Sequence, residues 1–305
     1  YFEPDFLGKT EGEVKKMIAD EQAASKIPLI TAVDEEGGRV VRISSNTSLV
    51  SNEMSKYPNL FYTNINNKNA WKLSKDLYRE SGNNFTLIEQ ETRVKSAVLK
   101  RLGLNVNFAP VVDMAIEGAY ISDRVIGLDA RGTAEYGKTV IKTSKETGVS
   151  YCLKHFPGYG NNSDTHDTGS VDNKTLEELM NNDIVPFKES IDVGAESVML
   201  AHNIVAAIDA NNPASLSKGV HDLLVNELNF TGIMITDALD MGATKDIPDK
   251  FVKAVKAGNH LLLVQDYARA YTELNEAVKN GSISEDELNK QVFKVLAWKY
   301  YKGLL

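Results

Sequence analysis

The sequence predicts an α/β protein, specifically a (β/α)8 barrel of the TIM type. Two observations carry that expectation. Short apolar runs alternate with longer segments of helical periodicity, which is the pattern of a parallel sheet flanked by helices. Every apolar run then ends in polar or ionisable residues, and a barrel brings the carboxyl ends of all its strands to one face. An open doubly wound sheet gathers ligands around one switch point instead, so polar groups after each strand favour the closed form.

Taken in order, helical periodicity covers Glu11–Ala24 and leads to the run Pro28–Val33, which exits into Asp34. The stretch from Ser44 to Asn84 is rich in Asn and Ser and reads as an extended loop with a short helix. A helix over Thr92–Leu102 precedes Val106–Val112, which exits into Asp113. A helix over Ala134–Thr147 precedes Val149–Leu153, which exits into Lys154 and His155. A helix over Leu176–Asp192 precedes Ser197–Ala201, which exits into His202 and Asn203. A helix over Gly219–Leu228 precedes Gly232–Ile235, which exits into Thr236 and Asp237. A helix over Lys250–Ala257 precedes His260–Val264, which exits into Gln265 and Asp266. Two more helices follow, the last opening on a capping box of Ser284 and Glu287 with Leu288, Val292, Val295 and Leu296 along one face. The runs are continuously apolar, as strands buried on both faces are. Gly103, Gly148, Gly194, Gly232 and Gly258 stand where helices stop and strands begin.

A barrel needs two further strands, and the expectation is that they belong upstream of Tyr1, because Tyr1-Phe2-Glu3-Pro4-Asp5-Phe6 lacks a Met and does not read as a natural start. On that reading residues 1–305 are a single catalytic barrel domain lacking its first one or two βα units. With 42% hydrophobic and 25% charged residues the composition is that of a globular protein with a sizeable core. The net charge of −8 argues against a nucleic-acid partner. No apolar stretch reaches the roughly 18 residues of a membrane span, and monomer is the default state. The single cysteine, Cys152, lies inside an apolar run and reads as a small core residue. The sequence leaves both a cell-envelope or extracellular and a cytoplasmic location open.

The most telling segment follows Leu153. Lys154 and His155 are succeeded by Pro157, Gly158 and Gly160, residues foreign to helix and strand, and this loop delivers Asp164-Thr165-His166. A carboxylate beside an imidazole is the material of a proton-transfer dyad, with the acid orienting the ring. Asp34-Glu35-Glu36-Gly37-Gly38-Arg39-Val40-Val41-Arg42 packs acids, glycines and arginines into one turn, in which the glycines are expected to bring backbone close to a ligand and Asp34 to accept from hydroxyls. It is not a phosphate loop, since no Gly-Lys-Ser/Thr follows. Asp237 leaves a buried strand and is the better nucleophile candidate, whereas Asp240 reads as a cap or surface residue. Of the histidines, His221 lies on an amphipathic helix and reads as surface. Neither a metal nor a cofactor is expected, because no His-x-His, His-Glu-x-x-His, paired-cysteine or Gly-x-Gly-x-x-Gly spacing occurs.

Together, Asp34-x-Glu-Gly-Gly-Arg-Val, Asn107-Phe-Ala-Pro-Val-Val-Asp113, Lys154-His-Phe-Pro-Gly-Tyr-Gly, Asp164-Thr-His166 and Thr236-Asp-Ala-Leu-Asp-Met241 resemble glycoside hydrolase family 3, and most closely its β-N-acetylglucosaminidase branch. The resemblance implies retaining hydrolysis of a terminal β-linked N-acetylglucosamine, in peptidoglycan fragments or chitin oligosaccharides, without a cofactor. It gives Asp237 the nucleophile's role and His166, oriented by Asp164, that of the general acid/base. Asp34, Arg42, Arg124, Lys154 and His155 match sugar-binding positions, with Met241 near the nucleophile. The chain departs from the family at Arg124-Val125-Ile126-Gly127, where relatives often carry an aromatic, and at Tyr159, where many carry His. A family 3 β-glucosidase or β-xylosidase, a glycoside phosphorylase and a catalytically silent sugar-binding barrel are the alternatives.

Overall fold

The structure is a computed structural model and describes residues 1–62, 70–116, 118–159 and 169–305. In chain order its elements begin with α1 (Glu11–Ala24), β1 (Ala32–Val33), α2 (Ser51–Lys56), α3 (Ser74–Glu80) and α4 (Thr86–Leu102). They continue with β2 (Val106–Asn107), α5 (Ala130–Thr147), β3 (Ser150–Phe156), β4 (Val171–Asp172), α6 (Leu176–Asn181) and α7 (Ile184–Asp192). The rest are β5 (Ser197–Leu200), β6 (Ile204–Val205), α8 (Lys218–Asp222), β7 (Ile233–Thr236), α9 (Lys250–Ala257), α10 (Tyr267–Lys279) and α11 (Glu285–Tyr301).

Five strands pair in parallel in the order β1-β2-β3-β5-β7. The predicted sixth run is present as a segment alongside β7, joined by a parallel bridge between Ile235 and Leu261. A separate two-stranded ladder, β4 with β6, lies beyond the carboxyl ends of β3 and β5. Consecutive parallel strands with helices between them form the wall of the expected (β/α) barrel.

The continuous apolar runs resolve into two faces once the period of two is applied. On the inner face, Val106, Cys152, Met199, Ile233 and Ile235 pack together with Phe108 and with Trp298 of α11. The alternate residues Tyr151, Leu153, Val198, Leu200 and Met234 belong to the larger core between sheet and helices. Cys152 is fully buried on that inner face, which explains its small side chain, and burial pushes its thiol up to about 12. Helix α4 meets the outer face through Ile88, Val98, Leu99 and Leu102 and stops at Gly103, whose φ of 92° is open to glycine. Helices α5 and α7 approach closely at Gly137, where a Cβ would stand 2.3 Å from Ser190 Oγ.

Several boundaries differ from the sequence reading. The expected helix over 176–192 is two, broken at Asn182, whose φ/ψ of −127°/−75° leaves the helical region. The helix expected over 219–228 ends as a π turn, Leu223–Glu227. The segment from Ser44 to Asn84 holds two α-helices and two 3-10 turns among its described residues, more than one short helix. Val292 is exposed, so the inward face of α11 is set by Trp298. His221 is buried and not on the surface: Gly258 leaves its ring room, with a Cβ there 3.3 Å from the imidazole, and Nδ1 lies 2.8 Å from the Ser217 carbonyl.

His260 serves the sheet directly. Its Nδ1 accepts the Met234 N–H at 2.9 Å, so the ring replaces a backbone acceptor beside β7. Burial, helped by Lys294 and His221, lowers its pKa from 6.5 to about 4. Protonation would set two N–H groups against each other. The unfolded chain therefore takes up that proton first, and stability should fall as pH drops from about 6.5 to about 4. Thermal midpoints measured across this window should decline, and His260→Asn, which keeps an acceptor oxygen without titrating, should decline less steeply. Parallel curves for the two proteins would show that His260 is not the group responsible.

Candidate active site

The carboxyl ends of the strands assemble one charged cluster. Asp34 and Glu36 leave β1 two residues apart, which puts their side chains on the same side of an extended backbone. Lys154, in the second half of β3, lies 2.7 Å from Asp34 Oδ1 and 2.6 Å from Glu36 Oε1. Arg124 takes the same Glu36 carboxylate in a fork, Nε at 3.0 Å and Nη2 at 2.7 Å. Arg42 Nη2 stands 3.7 Å from Asp34 Oδ2. Lys154, Glu36 and Arg124 have side chains only 2%, 7% and 7% exposed, so each charge depends on its partners. Burial pushes the Glu36 carboxyl up, but Arg124 and Lys154 overcome this and hold it well below the usual carboxylate range. Burial likewise opposes the charges on Lys154 and Arg124, and the acids around them raise both above their ordinary values.

Glu35 points the other way and builds the loop. Its carboxylate accepts the N–H groups of Arg42, Ile43 and Ser44 at 2.7, 2.8 and 3.0 Å. Asn107, on β2, accepts the Glu35 N–H at 3.0 Å and donates to the Glu35 carbonyl at 3.1 Å, extending the sheet by a side chain. Gly37 and Gly38 have φ of 122° and 59°. A Cβ on Gly37 would stand 2.5 Å from the Lys72 carbonyl, and Gly38 donates to the Trp71 carbonyl at 2.8 Å. The glycines thus admit the Trp71–Lys72 backbone and the Leu73 side chain.

His155 is set by Asp113, the residue after the apolar run Val106–Val112. The buried Asp113 carboxylate accepts from His155 N–H, from Tyr159 N–H at 2.8 Å and from His155 Nδ1 at 2.7 Å. A carboxylate accepts, so Nδ1 carries the proton. Nε2 then turns toward Arg124 Nη2 at 3.4 Å and Asp237 Oδ2 at 4.0 Å. Asp237 leaves β7, and its Oδ1 accepts the Ala238 N–H at 2.8 Å. Burial raises its carboxyl, but His155, His202, the Ala238 N–H and Lys154 outweigh this and hold it below the ordinary aspartate value. His202, past β5, sits between Ser215 Oγ and the Ala238 carbonyl at 2.8 and 2.9 Å and so braces the turn that carries Asp237. Asp34 and Asp237 share the lining of a cavity of about 640 Å³ with Phe108, Met199, Gln265 and Tyr267.

The structure therefore brings together Asp34, Arg42, Arg124, Lys154, His155 and Asp237. Met241 is buried in the turn after Asp237, its N–H donating to the Ala238 carbonyl at 3.0 Å, and it does not line that cavity. Asp240 accepts the Gln265 N–H and stands 3.7 Å from the buried Lys250, a structural role. Asp164 and His166 lie outside the described residues. Sequence reasoning assigned no role to Glu36, Asp113 or His202. Asp113 and His202 carry the same strand-exit signal as Asp237, and the two-residue spacing from Asp34 marks Glu36. Among the described residues, no three His, Cys, Asp or Glu side chains group as metal ligands.

A family model described as the glycosyl hydrolase family 3 N terminal domain matches residues 9–298. A beta-hexosaminidase of Nitrosomonas eutropha is 31% identical over 261 residues, which is 84% of this chain and 70% of that protein. Beta-hexosaminidase LpqI of Mycobacterium tuberculosis is 27% identical over 95% of this chain and 72% of its own length. The structure of a glycoside hydrolase family 3 beta-N-acetylglucosaminidase from Paenibacillus sp. str. FPU-7 superposes with a TM-score of 0.84 at 28% identity. That match covers 100% of this chain, but this chain spans only 56% of the Paenibacillus one.

The shared carboxylate sets an energetic expectation. Glu36→Gln keeps the shape and leaves two buried cations facing one fewer anion, which should destabilise the protein by about 3 kcal/mol. Urea or guanidinium unfolding measures this, and a loss below about 0.5 kcal/mol would show that the cluster does not depend on Glu36.

Proposed function

This chain belongs to glycoside hydrolase family 3, and from that premise we propose that it is a retaining exo-β-N-acetylglucosaminidase. The observation that carries the reading is Asp237: a carboxylate at a strand exit, held ionised beside His155 and Lys154, lining the same cavity as Asp34. An anionic carboxylate kept from its cations' direct grasp is a nucleophile, whereas Asp34 and Glu36 are bound up in ion pairs. The beta-hexosaminidase and beta-N-acetylglucosaminidase names of the relatives support the choice of sugar.

In the first step an Asp237 oxygen bonds to the anomeric carbon as the glycosidic C–O bond breaks, and protonated His166 gives its proton to the leaving oxygen. In the second, neutral His166 takes a proton from water, whose oxygen displaces Asp237. Two inversions give retention. Asp164 orients the imidazole, as a carboxylate does in other hydrolytic dyads. Lys154 has three donors and spends two on Asp34 and Glu36, so one remains for a sugar hydroxyl. Asp34, which lines the cavity, and Arg42, Arg124 and His155, clustered around it, are the further polar groups proposed for the sugar, with Met241 behind the nucleophile. The substrates proposed are N-acetylglucosaminides of peptidoglycan fragments or chitin oligosaccharides.

The protein should release N-acetylglucosamine from an aryl β-N-acetylglucosaminide and leave the aryl β-glucoside intact, and Asp237→Ala should abolish the release. His166→Ala should impair substrates with poor leaving groups far more than those with activated ones, because only the former need protonation. Release of glucose instead, formation of a sugar 1-phosphate when phosphate is added, or binding without turnover would each replace this reading by a glucosidase, a phosphorylase or a silent barrel.

A further inference from the structure

We infer that Lys95, on the core face of α4, is a positioning residue for the candidate active site, acting through the backbone of Glu36; its kinetic readout rests on the function proposed above. Lys95 is 2% exposed, and no reaction step uses it. It pairs with Glu91 one turn earlier on the same helix, also buried. An i,i+4 pair of this kind would be purely structural if it ended there. It does not: Lys95 Nζ also donates to the Glu36 carbonyl at 3.0 Å. Glu36 is the residue whose carboxylate holds both Lys154 and Arg124.

A second contact makes the grip two-point. Lys95 Nζ lies 5.5 Å from the centre of the Trp71 ring, and the Trp71 carbonyl receives the Gly38 N–H. Helix α4 thereby fixes the loop at Glu36 and, through Trp71, at Gly38. One further carboxylate and two tyrosine hydroxyls face this pair. Burial raises the Glu91 carboxyl, Lys95 opposes that, and Glu35 adds to it. The Tyr136 and Tyr151 hydroxyls close the other flank, with Tyr136 bonded to Ser74 at 2.8 Å and Tyr151 to Ser96 at 3.2 Å. Glu91 is thus the counter-charge that lets a cation stand beneath the loop, and Lys95 is the strut. A shift of the Glu36 carbonyl would move its carboxylate and, with it, the two cations proposed to hold the sugar.

The test separates positioning from stability. In Lys95→Met with Glu91→Leu, both buried charges are replaced by apolar groups, a change that is often neutral or stabilising. We expect its thermal midpoint to stay near that of the unaltered protein. Hydrogen exchange of the amides from Glu36 to Ser44 should accelerate at least tenfold. KM for the aryl β-N-acetylglucosaminide should rise about tenfold while kcat changes less than threefold. Lys95→Arg, which keeps a cationic donor, should retain KM within threefold. Unchanged exchange and unchanged KM in the folded double variant overturn the inference. Should the double variant not fold, Lys95→Gln gives the same reading by the same two measurements. If the unaltered protein does not turn over the substrate, the proposed function fails, and the exchange rates alone still decide the role of Lys95.

Discussion

Two buried cations share one buried carboxylate at the carboxyl-end face, and the rest of the site is arranged around that constraint. Arg124 and Lys154 hold Glu36 ionised at its depth, and Glu36, together with Asp34, offsets the burial of the two cations. Asp34 supplies the second negative charge, so the four groups balance. What the fold must do is hold three chain segments, after β1, after β2 and in the second half of β3, within hydrogen-bond distance of one another. Parallel neighbours in the sheet do this as a matter of geometry.

The supporting groups are spent on orientation. Asp113 commits its carboxylate to His155 and Tyr159, and Glu35 commits its own to three backbone N–H groups. His202 is bonded through both ring nitrogens beneath the turn of Asp237. Each is a buried polar group that would be costly if left unpaired, and pairing makes it a rigid strut. Asp237 is treated differently. One oxygen is fixed by a backbone N–H while the other faces an imidazole at 4.0 Å, outside hydrogen-bond reach. A carboxylate so placed keeps its charge and remains available to react.

Much of this was legible along the chain. The alternation of apolar runs with helical periodicity pointed to the parallel order of β1, β2, β3, β5 and β7, but to neither the β4–β6 ladder nor the strand lengths. The polar residues that end those runs include Asp34, Lys154, His155 and Asp237, although Lys154 and His155 still belong to β3 and Asp266 only caps α10. Glycine stops such as Gly103 were equally readable, since the left-handed backbone at a helix end excludes most side chains.

The sequence by itself determined which residue types stand at the strand ends, and with them the family. Only the tertiary structure decided which of those residues are bound to one another. Glu35 and Glu36 are neighbours of the same chemistry, yet one is consumed by backbone and the other by two cations, because successive side chains of an extended segment point to opposite sides and what waits on each side comes from distant chain. His221 illustrates the same limit: a helical pattern gives its face, but only the packing of Gly258 against that face makes it buried. Periodicity records local geometry. Partnership between charges is a property of space, and it appears only when segments far apart in sequence are brought side by side.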